Sequence, residues 1–238
     1  MTVAAAAPPL VRIRGLRAAY GRLEVLRGID LDVREGEFLG VIGHNGAGKS
    51  TLLKVIAGIL PATRGSVEVN TTRPVSDGGR ISERIAMVPQ GLAVFPRMTV
   101  AENLEVPRVA VRNAAELLPL GEIYELFPVL RERGGQTAGT LSGGEQRMVA
   151  IGMALRLAPR LLLLDEPSLG LAPKIAIRIT EAVDEVRRRL GSTVVVVEQN
   201  LDVLLRRAER LVAIRQGAVV WEGDPGAIGD LRNLWQYF

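Results

Sequence analysis

The 238-residue sequence contains no cysteine, one histidine and few aromatic residues. The absence of cysteine excludes disulfides, thiol catalysis and cysteine metal sites. The single histidine, His44, excludes a histidine-cluster metal site and any Ser-His-Asp arrangement. Aromatic residues make up 4% of the chain, and none lies beside the densest cationic run, Arg187 to Arg189. We therefore interpret that run as a solvated helix end and not as a nucleic-acid surface.

Long apolar runs are also absent, and no stretch approaches the roughly 20 residues that a membrane-spanning helix needs. The first ten residues lack a cationic start and a long apolar centre, and Pro8 and Pro9 interrupt them, so that we expect a floppy tail and not a signal peptide. Hydrophobic residues make up 47% and charged residues 24%, the mix of a folded soluble protein. The length predicts one good-sized domain or a core with a smaller insert. Without a predicted membrane span or signal peptide, we expect the protein in the cytoplasm, unless something else holds it at a membrane.

The most informative stretch is the glycine loop Gly43 to Ser50, Gly-His-Asn-Gly-Ala-Gly-Lys-Ser. It lies between an apolar run, Phe38 to Ile42, and a segment with helical spacing, which is the strand, loop and helix context of a P-loop. Backbone N–H groups of such a loop and the positive end of its helix form an anion cradle. We predict that Lys49 reaches the β- and γ-phosphates and that Ser50, supported by Thr51, places its hydroxyl on Mg²⁺. A glycine-rich turn without a ligand is the alternative.

Short alternating runs surround this loop in the first third of the chain. Val11 to Arg14 and Ile29 to Val33 predict a small antiparallel layer ahead of the P-loop strand, and Ser66 to Val69 predicts a further short strand. Tyr20 lies between the first two runs. It is either a packing aromatic or a platform for an adenine ring.

Polar residues follow two buried strands. Gln90 follows the predicted strand Ile85 to Val88, and its amide either turns toward Mg²⁺ or water or caps the loop. Asp165 and Glu166 end the apolar run Leu161 to Leu164, at the strand edge where an α/β sheet places its ligand chemistry. We predict that Asp165 holds the Mg²⁺ shell and that Glu166 acts on an attacking water. A solvent-facing acidic turn is the alternative.

Between these strands the patterns are helical. Val100 to Val106, Ala114 to Leu118, Ile123 to Leu130 and Glu145 to Leu157 predict a helical insert between core strands. At the start of the last helix, Ser142, Gly143 and Gly144 precede Glu145, which predicts a second anion-binding helix start. Taken alone, it could be an ordinary N-cap.

The remaining patterns complete an α/β fold. They predict a sheet-covering helix over Ile175 to Leu190, a buried strand over Thr193 to Val197, a hairpin from Leu211 to Glu222 and a short terminal helix over Pro225 to Phe238. The predicted fold is a P-loop NTPase core of the RecA-like type with a small antiparallel β layer and a helical insert. We expect the core at about 10–92 and 159–238 and the helical subdomain at about 93–158.

These motifs in this order resemble an ATP-binding-cassette (ABC) ATPase subunit over essentially the whole chain. The match comprises Walker A at Gly43 to Ser50, the glutamine loop at Gln90, the signature motif at Leu141 to Gln146, Walker B at Leu161 to Asp165 with Glu166 after it, and Tyr20 in the place of the adenine-stacking aromatic. The resemblance implies ATP hydrolysis with ATP and Mg²⁺ as cofactors. It also implies that two subunits close face to face, with each ATP between one Walker A and the Ser142 to Gly144 loop of the other subunit. The residues expected to bind nucleotide are Tyr20, Gly43, Asn45, Gly46, Ala47, Gly48, Lys49, Ser50, Thr51, Ser142, Gly143, Gly144 and Glu145.

Two departures from the family pattern narrow the resemblance. Gln199 stands where most members carry a histidine near the γ-phosphate; its amide can donate a hydrogen bond but cannot become cationic. The loop Ser168 to Pro173 lacks the usual aspartate. Both departures resemble the branched-chain amino-acid and related amide or urea uptake subclass, in particular its shorter ATPase. We expect the catalytic residues Glu166, Gln199 and Gln90 and the metal ligands Ser50, Gln90 and Asp165.

That resemblance implies a set of partners and a place in the cell. The partners are a second ATPase subunit, two transmembrane permease subunits and, indirectly, an extracytoplasmic solute-binding protein, with no nucleic acid, at the cytoplasmic face of the inner membrane. The apolar residues Leu92, Val94, Phe95 and Met98 either contact a permease helix or belong to the core of the insert. Two other classes stay open: a soluble cassette of translation or DNA repair, which usually has two cassettes or a long coiled coil, and a nucleotide switch, which needs no signature motif.

Overall fold

The computed structural model describes residues 9–70, 85–91, 93–111 and 113–226. Its strands are β1 (Val11–Tyr20), β2 (Leu23–Val33), β3 (Phe38–Ile42), β4 (Arg64–Val69), β5 (Ile85–Val88), β6 (Leu161–Asp165), β7 (Thr193–Glu198), β8 (Arg210–Arg215) and β9 (Ala218–Gly223). Its α-helices are α1 (Lys49–Ile56), α2 (Val100–Glu105), α3 (Leu120–Leu126), α4 (Pro128–Glu132), α5 (Gly143–Arg156), α6 (Pro173–Leu190) and α7 (Leu201–Leu205).

The strands form two sheets. A six-stranded sheet has the order β5-β6-β7-β3-β8-β9, in which β9 is antiparallel to β8 and the other neighbours are parallel. A three-stranded antiparallel sheet has the order β2-β1-β4. This arrangement confirms the predicted α/β core with a small antiparallel layer.

The central strands are apolar throughout because both faces of the large sheet are covered. Leu162 and Leu164 of β6 pack on the side of α5 and α6. Leu161 and Leu163 face the opposite way, toward α1 and the antiparallel sheet. Burying a leucine of this kind contributes about 1.5–3 kcal/mol relative to leaving it exposed, so the paired layers fix which strand ends meet at the edge of the sheet.

The parallel order brings four chain segments to one edge. The carboxyl ends of β5, β6, β7 and β3 lie side by side, and parallel strands end on the same edge of a sheet. The glycine loop follows β3, Gln90 follows β5, Glu166 follows β6, and Gln199 follows β7. The sheet therefore gathers residues that are more than 150 positions apart in the sequence.

The helical segment between β5 and β6 differs from the sequence prediction in two places. The predicted helix from Ile123 to Leu130 is wrong as one element: α3 ends at Leu126 and α4 begins at Pro128, with Phe127 between them at φ −130° and ψ 75°. Pro128 has no N–H to continue the first helix, and its ring disfavours a helical residue before it. Ala114 to Leu118 is not an α-helix but contains a 3₁₀ turn, Ala114–Glu116.

Other boundaries agree more closely with the sequence. The helix end at Arg187 to Arg189 is confirmed: α6 stops at Leu190, and Gly191 adopts the left-handed conformation at φ 64°. The short helix α7 had no counterpart in the sequence prediction.

Among the described residues, no helix is both long enough and apolar enough to cross a membrane. Residues 1–8, residues 71–84, Leu92, Arg112 and residues 227–238 of the predicted terminal helix lie outside the described residues.

Candidate nucleotide-binding site

The P-loop, residues 43–50, joins β3 to the start of α1. Gly48 precedes α1 in the left-handed region at φ 106°, and no side chain caps the helix. The first backbone N–H groups of an uncapped helix have no partner within the helix and carry the positive end of its dipole. A Cβ at Gly43 would lie 2.3 Å from the carbonyl oxygen of Ile214, which leaves no room for a side chain there. The loop therefore offers amide donors at a place where only glycine fits.

The turn between β8 and β9 braces this loop from the side. The N–H of Gly217 donates to the carbonyl of Ala47 at 2.9 Å, and the carbonyl of Gly217 accepts from the N–H of Arg27 on β2 at 2.8 Å. Inside the loop, the Ala47 N–H donates to the His44 carbonyl at 3.1 Å. The P-loop is thus tied to both sheets by backbone hydrogen bonds.

Lys49 is a buried cation surrounded by oxygen atoms. Its side chain is 4% exposed, and its Nζ donates to the carbonyls of Gly43 at 2.7 Å and His44 at 3.1 Å. The same Nζ lies 3.5 Å from Oε1 of Glu166. A buried lysine is stable only with such partners, so its ammonium group is held at the mouth of the loop.

Ser50 and Asp165 bring two hard oxygen ligands together. The Ser50 hydroxyl donates to Oδ1 of Asp165 at 2.9 Å, although the two residues are 115 positions apart. Burial raises the pKa of the Asp165 carboxyl, the hydrogen bond from Ser50 opposes the rise, and the nearby Glu166 charge adds to it. A carboxylate that is desolvated beside another carboxylate favours a cation in its neighbourhood.

Glu166 is held by two amide groups. Gln90 Nε2 donates to its Oε2 at 2.8 Å, and Gln199 Nε2 donates to its Oε1 at 2.6 Å. Glu166 is buried and adopts φ 48°, an uncommon backbone conformation for a non-glycine residue,. Its N–H donates to the carbonyl of Val197 at 2.9 Å, which fixes that conformation against β7. The structure thus joins all three residues that the sequence predicted as catalytic.

Two buried residues at this edge were not assigned a role from the sequence. Glu198 accepts a hydrogen bond from the Ser168 N–H at 2.8 Å, and burial raises the pKa of its carboxyl. Arg147, on α5, donates from Nη1 to the carbonyl of Pro89 at 3.2 Å. The sequence did contain a signal for Glu198, because it is a charged residue directly at the end of an apolar strand. Arg147 stands in the helical pattern of α5, where an arginine predicts exposure, but α5 is buried on nearly every side.

The signature loop, residues 141–144, is built from local contacts. Ser142 Oγ accepts from the Glu145 N–H at 3.4 Å, and Oε2 of Glu145 accepts from the Ser142 N–H at 2.9 Å, which forms a capping box at the start of α5,. Burial opposes ionisation of Glu145, but the hydrogen bonds from Ser142 and the ion pair with Arg133 at 2.8 Å outweigh it and lower the pKa of Glu145. Ser142 and Gly143 are exposed.

The signature loop bonds chiefly to its own part of the chain. The side-chain bonds of Ser142 and Glu145 stay within the helical segment between β5 and β6. Of the residues that the sequence predicted to bind nucleotide, those of the P-loop lie beside the strand-end acids, and those of the signature loop form a separate surface.

Tyr20 lies at the end of β1, and the residue is 44% exposed. Lys54 Nζ lies 3.4 Å from its hydroxyl oxygen and 5.7 Å from the ring centroid. The residue is accessible, and the role of its ring as a platform for adenine stays a prediction.

The loop that follows Gln90 is held by one buried side chain. Asn103 Oδ1 accepts from the Phe95 N–H at 2.7 Å, and its Nδ2 donates to the carbonyls of Phe95 at 3.0 Å and Thr99 at 2.9 Å. Phe95 is 48% exposed, whereas Val94 packs against the core. The apolar residues of this loop therefore differ in role. Val94 contributes to core packing, whereas Phe95 is available for contact with a partner.

The fold and the site define an α/β protein with a P-loop, a Walker B acid and a following glutamate, that is, a P-loop nucleotide hydrolase. The family described as ABC transporter matches residues 26–169. The chain is 43% identical over 210 residues to the high-affinity branched-chain amino acid transport ATP-binding protein BraG of Pseudomonas aeruginosa, covering 87% of this chain and 89% of that protein. The chain belongs to the ABC transporter family, as the resemblance of its motifs indicated, and it is an ABC ATPase.

More distant relatives and solved structures agree on the family. The maltose/maltodextrin import ATP-binding protein MalK of Salmonella typhimurium is 32% identical over 226 residues, which cover 90% of this chain and 58% of MalK. A structure of an ATP-binding subunit of an ABC transporter superposes with a TM-score of 0.77 at 28% identity, covering 95% of this chain and 93% of that one. A dimeric cassette in a post-hydrolysis state, bound to ADP and phosphate, gives a TM-score of 0.78 at 27% identity, covering 90% and 98%.

Proposed function

We propose that this chain is the ATP-hydrolysing subunit of an importer for branched-chain amino acids or a related small polar solute such as an amide or urea. One observation supports the hydrolysis: the Glu166 carboxylate, held by two amides, lies 3.5 Å from the P-loop lysine. The solute class is supported by the 43% identity to BraG over most of both chains.

The residues present fit a triphosphate and a magnesium ion. The uncapped start of α1 and the Lys49 ammonium are donors of the kind that phosphate oxygens accept,. The Ser50 hydroxyl and the Asp165 carboxylate, 2.9 Å apart, are hard oxygen ligands, and Mg²⁺ at a nucleotide site uses one or two protein ligands beside phosphates and waters. We propose Ser50 and Asp165 as ligands, with the Gln90 amide oxygen as a further one.

Bound Mg-ATP would supply the phosphoanhydride bond and the charge that polarises it. Lys49 would exchange its carbonyl partners for phosphate oxygens. Glu166 would accept a hydrogen bond from the attacking water and orient or deprotonate it. Gln90 and Gln199 would fix the direction of that carboxylate, and neither amide titrates. The chain's own contribution is thus a preorganised acceptor next to a cation.

The other face of the nucleotide would come from a second ATPase subunit. The P-loop covers one side of a triphosphate, and the exposed amides of the signature loop suit the other side,. The dimeric form of a similar cassette with ADP and phosphate supports this arrangement. We propose that two permease subunits bind the exposed Phe95 region and hold the assembly at the cytoplasmic face of the membrane,.

The test is reconstitution of this chain with a partner ATPase, two permease subunits and a solute-binding protein. In proteoliposomes, we expect ATP hydrolysis that is stimulated by the loaded binding protein, and uptake of leucine, isoleucine or valine. Urea and a short-chain amide, assayed in parallel, decide between the solute classes. The Glu166→Gln variant in the same assembly is the matched control for uptake driven by hydrolysis. Turnover that rises linearly with the concentration of this chain alone, and that permeases do not change, would contradict the proposal and favour a nucleotide switch.

A further inference from the structure

One peptide group links the catalytic carboxylate to the signature helix α5. The side chain of Gln90 donates to Oε2 of Glu166 at 2.8 Å. The position of Gln90 depends on the peptide that joins it to Pro89.

The oxygen of that peptide has a charged partner. Arg147 Nη1 donates to the carbonyl of Pro89 at 3.2 Å. The C=O and the N–H of a trans peptide point in opposite directions from one rigid plane. Rotation of the Pro89–Gln90 peptide plane would therefore weaken the contact with Arg147 and move Gln90 relative to Glu166.

Burial of the Arg147 guanidinium costs free energy. The residue is 5% exposed, and burial lowers the pKa of its guanidinium, while Glu198 and Asp165 act in favour of its charged form. A buried cation destabilises a protein unless nearby acceptors and charges compensate it. An apolar side chain could fill the same space on α5 without that cost, so the charge itself calls for a role.

We propose that Arg147 is a positioning residue, which fixes the Pro89–Gln90 peptide and thereby holds the Gln90 amide against Glu166. The inference rests on the proposed function, since it assigns Glu166 to hydrolysis. Arg147 begins the second turn of the helix that carries the signature loop at its start. A shift of α5 therefore changes the same peptide that orients the catalytic carboxylate.

The first experiment needs no nucleotide. Hydrogen exchange of the Gln90 side-chain amide, measured by NMR on the nucleotide-free protein, should become about tenfold faster in Arg147→Met, because the amide is no longer held in its hydrogen bond to Glu166,. The matched control is Arg156→Met, a second buried arginine of α5, which donates to the carbonyl of Leu104 at 3.2 Å and lies away from the site. Unchanged exchange of the Gln90 side-chain amide in Arg147→Met, or equal acceleration in both variants, would overturn the proposal.

The second experiment measures turnover in the reconstituted assembly. We expect Arg147→Met to lower kcat by about tenfold while KM for Mg-ATP changes by less than about twofold, and Arg147→Lys to recover part of the loss. The double variant Arg147→Met with Gln90→Ala should be no slower than Gln90→Ala alone, because both act through one contact. Losses that multiply would overturn the inference. If Arg147→Met does not fold, Arg147→Lys carries both tests.

The two proposals fail in different ways. Absence of ATP hydrolysis by the unmodified assembly would refute the proposed function, and the exchange measurement would still decide the role of Arg147. Hydrolysis together with multiplying losses would refute only the role of Arg147.

Discussion

The P-loop and the signature loop are both glycine-containing helix starts, but the structure supports them in different ways. The P-loop is connected by backbone hydrogen bonds to the β8–β9 turn, and through Gly217 to β2. Its lysine is buried against loop carbonyls and Glu166. The signature loop is stabilised by its own capping box and one ion pair with Arg133.

This difference indicates which half of a nucleotide enclosure is complete in one chain. At the P-loop, the cation, the acids and the two amides already contact one another, so binding would exchange existing partners for phosphate. At the signature loop, Ser142 and Gly143 are exposed, and the side-chain hydrogen bonds of Ser142 are to Glu145 of the same helix start. We therefore expect changes at the P-loop to affect a single chain, and changes at the signature loop to matter only in the assembly.

Lys49→Ala should impair nucleotide binding itself, and therefore every step that follows it. The substitution removes the buried ammonium from three oxygen partners, and charged hydrogen bonds contribute about 1.5–3 kcal/mol each. Affinity of the isolated chain for Mg-ATP should fall by at least about 100-fold, as measured by calorimetry. Lys174→Ala, on the exposed first turn of α6, is the control and should bind normally. Normal affinity in Lys49→Ala would contradict the view that the P-loop side of the site is complete in one chain.

Glu166→Gln should separate binding from turnover. The amide has nearly the shape of the carboxylate but cannot accept a proton or pair with Lys49, so that kcat should fall by at least about 10³-fold. Nucleotide affinity should persist, and the assembly should be trapped as a closed dimer in the presence of ATP, detectable by light scattering. Glu181→Gln, on the exposed side of α6, should leave kcat unchanged. Retained turnover in Glu166→Gln would show that another group acts on water.

Gly143→Ala should act on the signature loop without harming the fold. A Cβ at Gly143 would meet no atom within 4 Å in this chain, and alanine favours a helix over glycine by about 1 kcal/mol. The isolated chain should therefore be as stable as the parent or slightly more stable, with unchanged ATP affinity. Turnover of the assembly should fall at least about tenfold, because the methyl group would occupy the space where phosphate oxygens approach the amides.

The control for this variant is Gly121→Ala. Gly121 lies in α3 and likewise has open space around an added Cβ, so the variant should show the same stability change with normal turnover. Loss of turnover in both variants would mean that Gly143→Ala acts through helix stability and not through contact with the nucleotide phosphate.

Gln199→Ala should cost less than Glu166→Gln. It removes one amide donor at 2.6 Å from Glu166 while Gln90 remains, and a hydrogen bond to a charged group contributes about 1.5–3 kcal/mol at most. A loss of kcat of about 10- to 100-fold is expected. Between pH 6 and 7, kcat of the parent should show no titration at this position. Gln199→His should introduce one with a midpoint above the ordinary imidazole pKa of about 6.5, because the adjacent Glu166 carboxylate favours the cation,. A variant Gln199→Ala as inactive as Glu166→Gln would show that the amide does more than donate.

Much of the fold and of the P-loop side could be predicted from the sequence. Continuous apolar runs such as Leu161 to Leu164 and Thr193 to Val197 are typical of strands covered on both faces, and parallel order then brings their polar ends together. Family motifs identified Gln90 and Gln199, but their shared contact with Glu166 depends on the distance between strand ends, which local patterns do not encode.

What the sequence missed depends on tertiary contacts or on chain breaks. Arg147 is a polar residue in a helical pattern. It is nonetheless buried, because Pro89, the residue that follows β5, lies against it. The break at Phe127 follows from Pro128, whose apolar neighbours had suggested one helix. Helix α7 has five residues, too few for a periodic pattern to identify.

The smallest expected effect is that of Glu145→Gln, which tests whether the signature loop is held only locally. A glutamine keeps one oxygen to accept from Ser142 but loses the ion pair with the half-exposed Arg133. The free energy of unfolding at pH 7 should therefore fall by no more than about 1 kcal/mol, as measured with urea.

The pH dependence of that difference follows from the pKa of Glu145. Because the folded state lowers the pKa, the contribution of Glu145 to stability is present above the unfolded value of about 4.3 and is lost as the pH falls through the folded value. The difference between parent and variant should thus be constant above about pH 5.5 and narrow below about pH 4.5. Glu102→Gln at the capping box of α2 is the control; its carboxyl has a lowered pKa for the same reason, hydrogen bonds from the cap residue, so the trend should be the same. A loss of several kcal/mol in Glu145→Gln alone would show that the signature loop is supported by the whole fold, as the P-loop is.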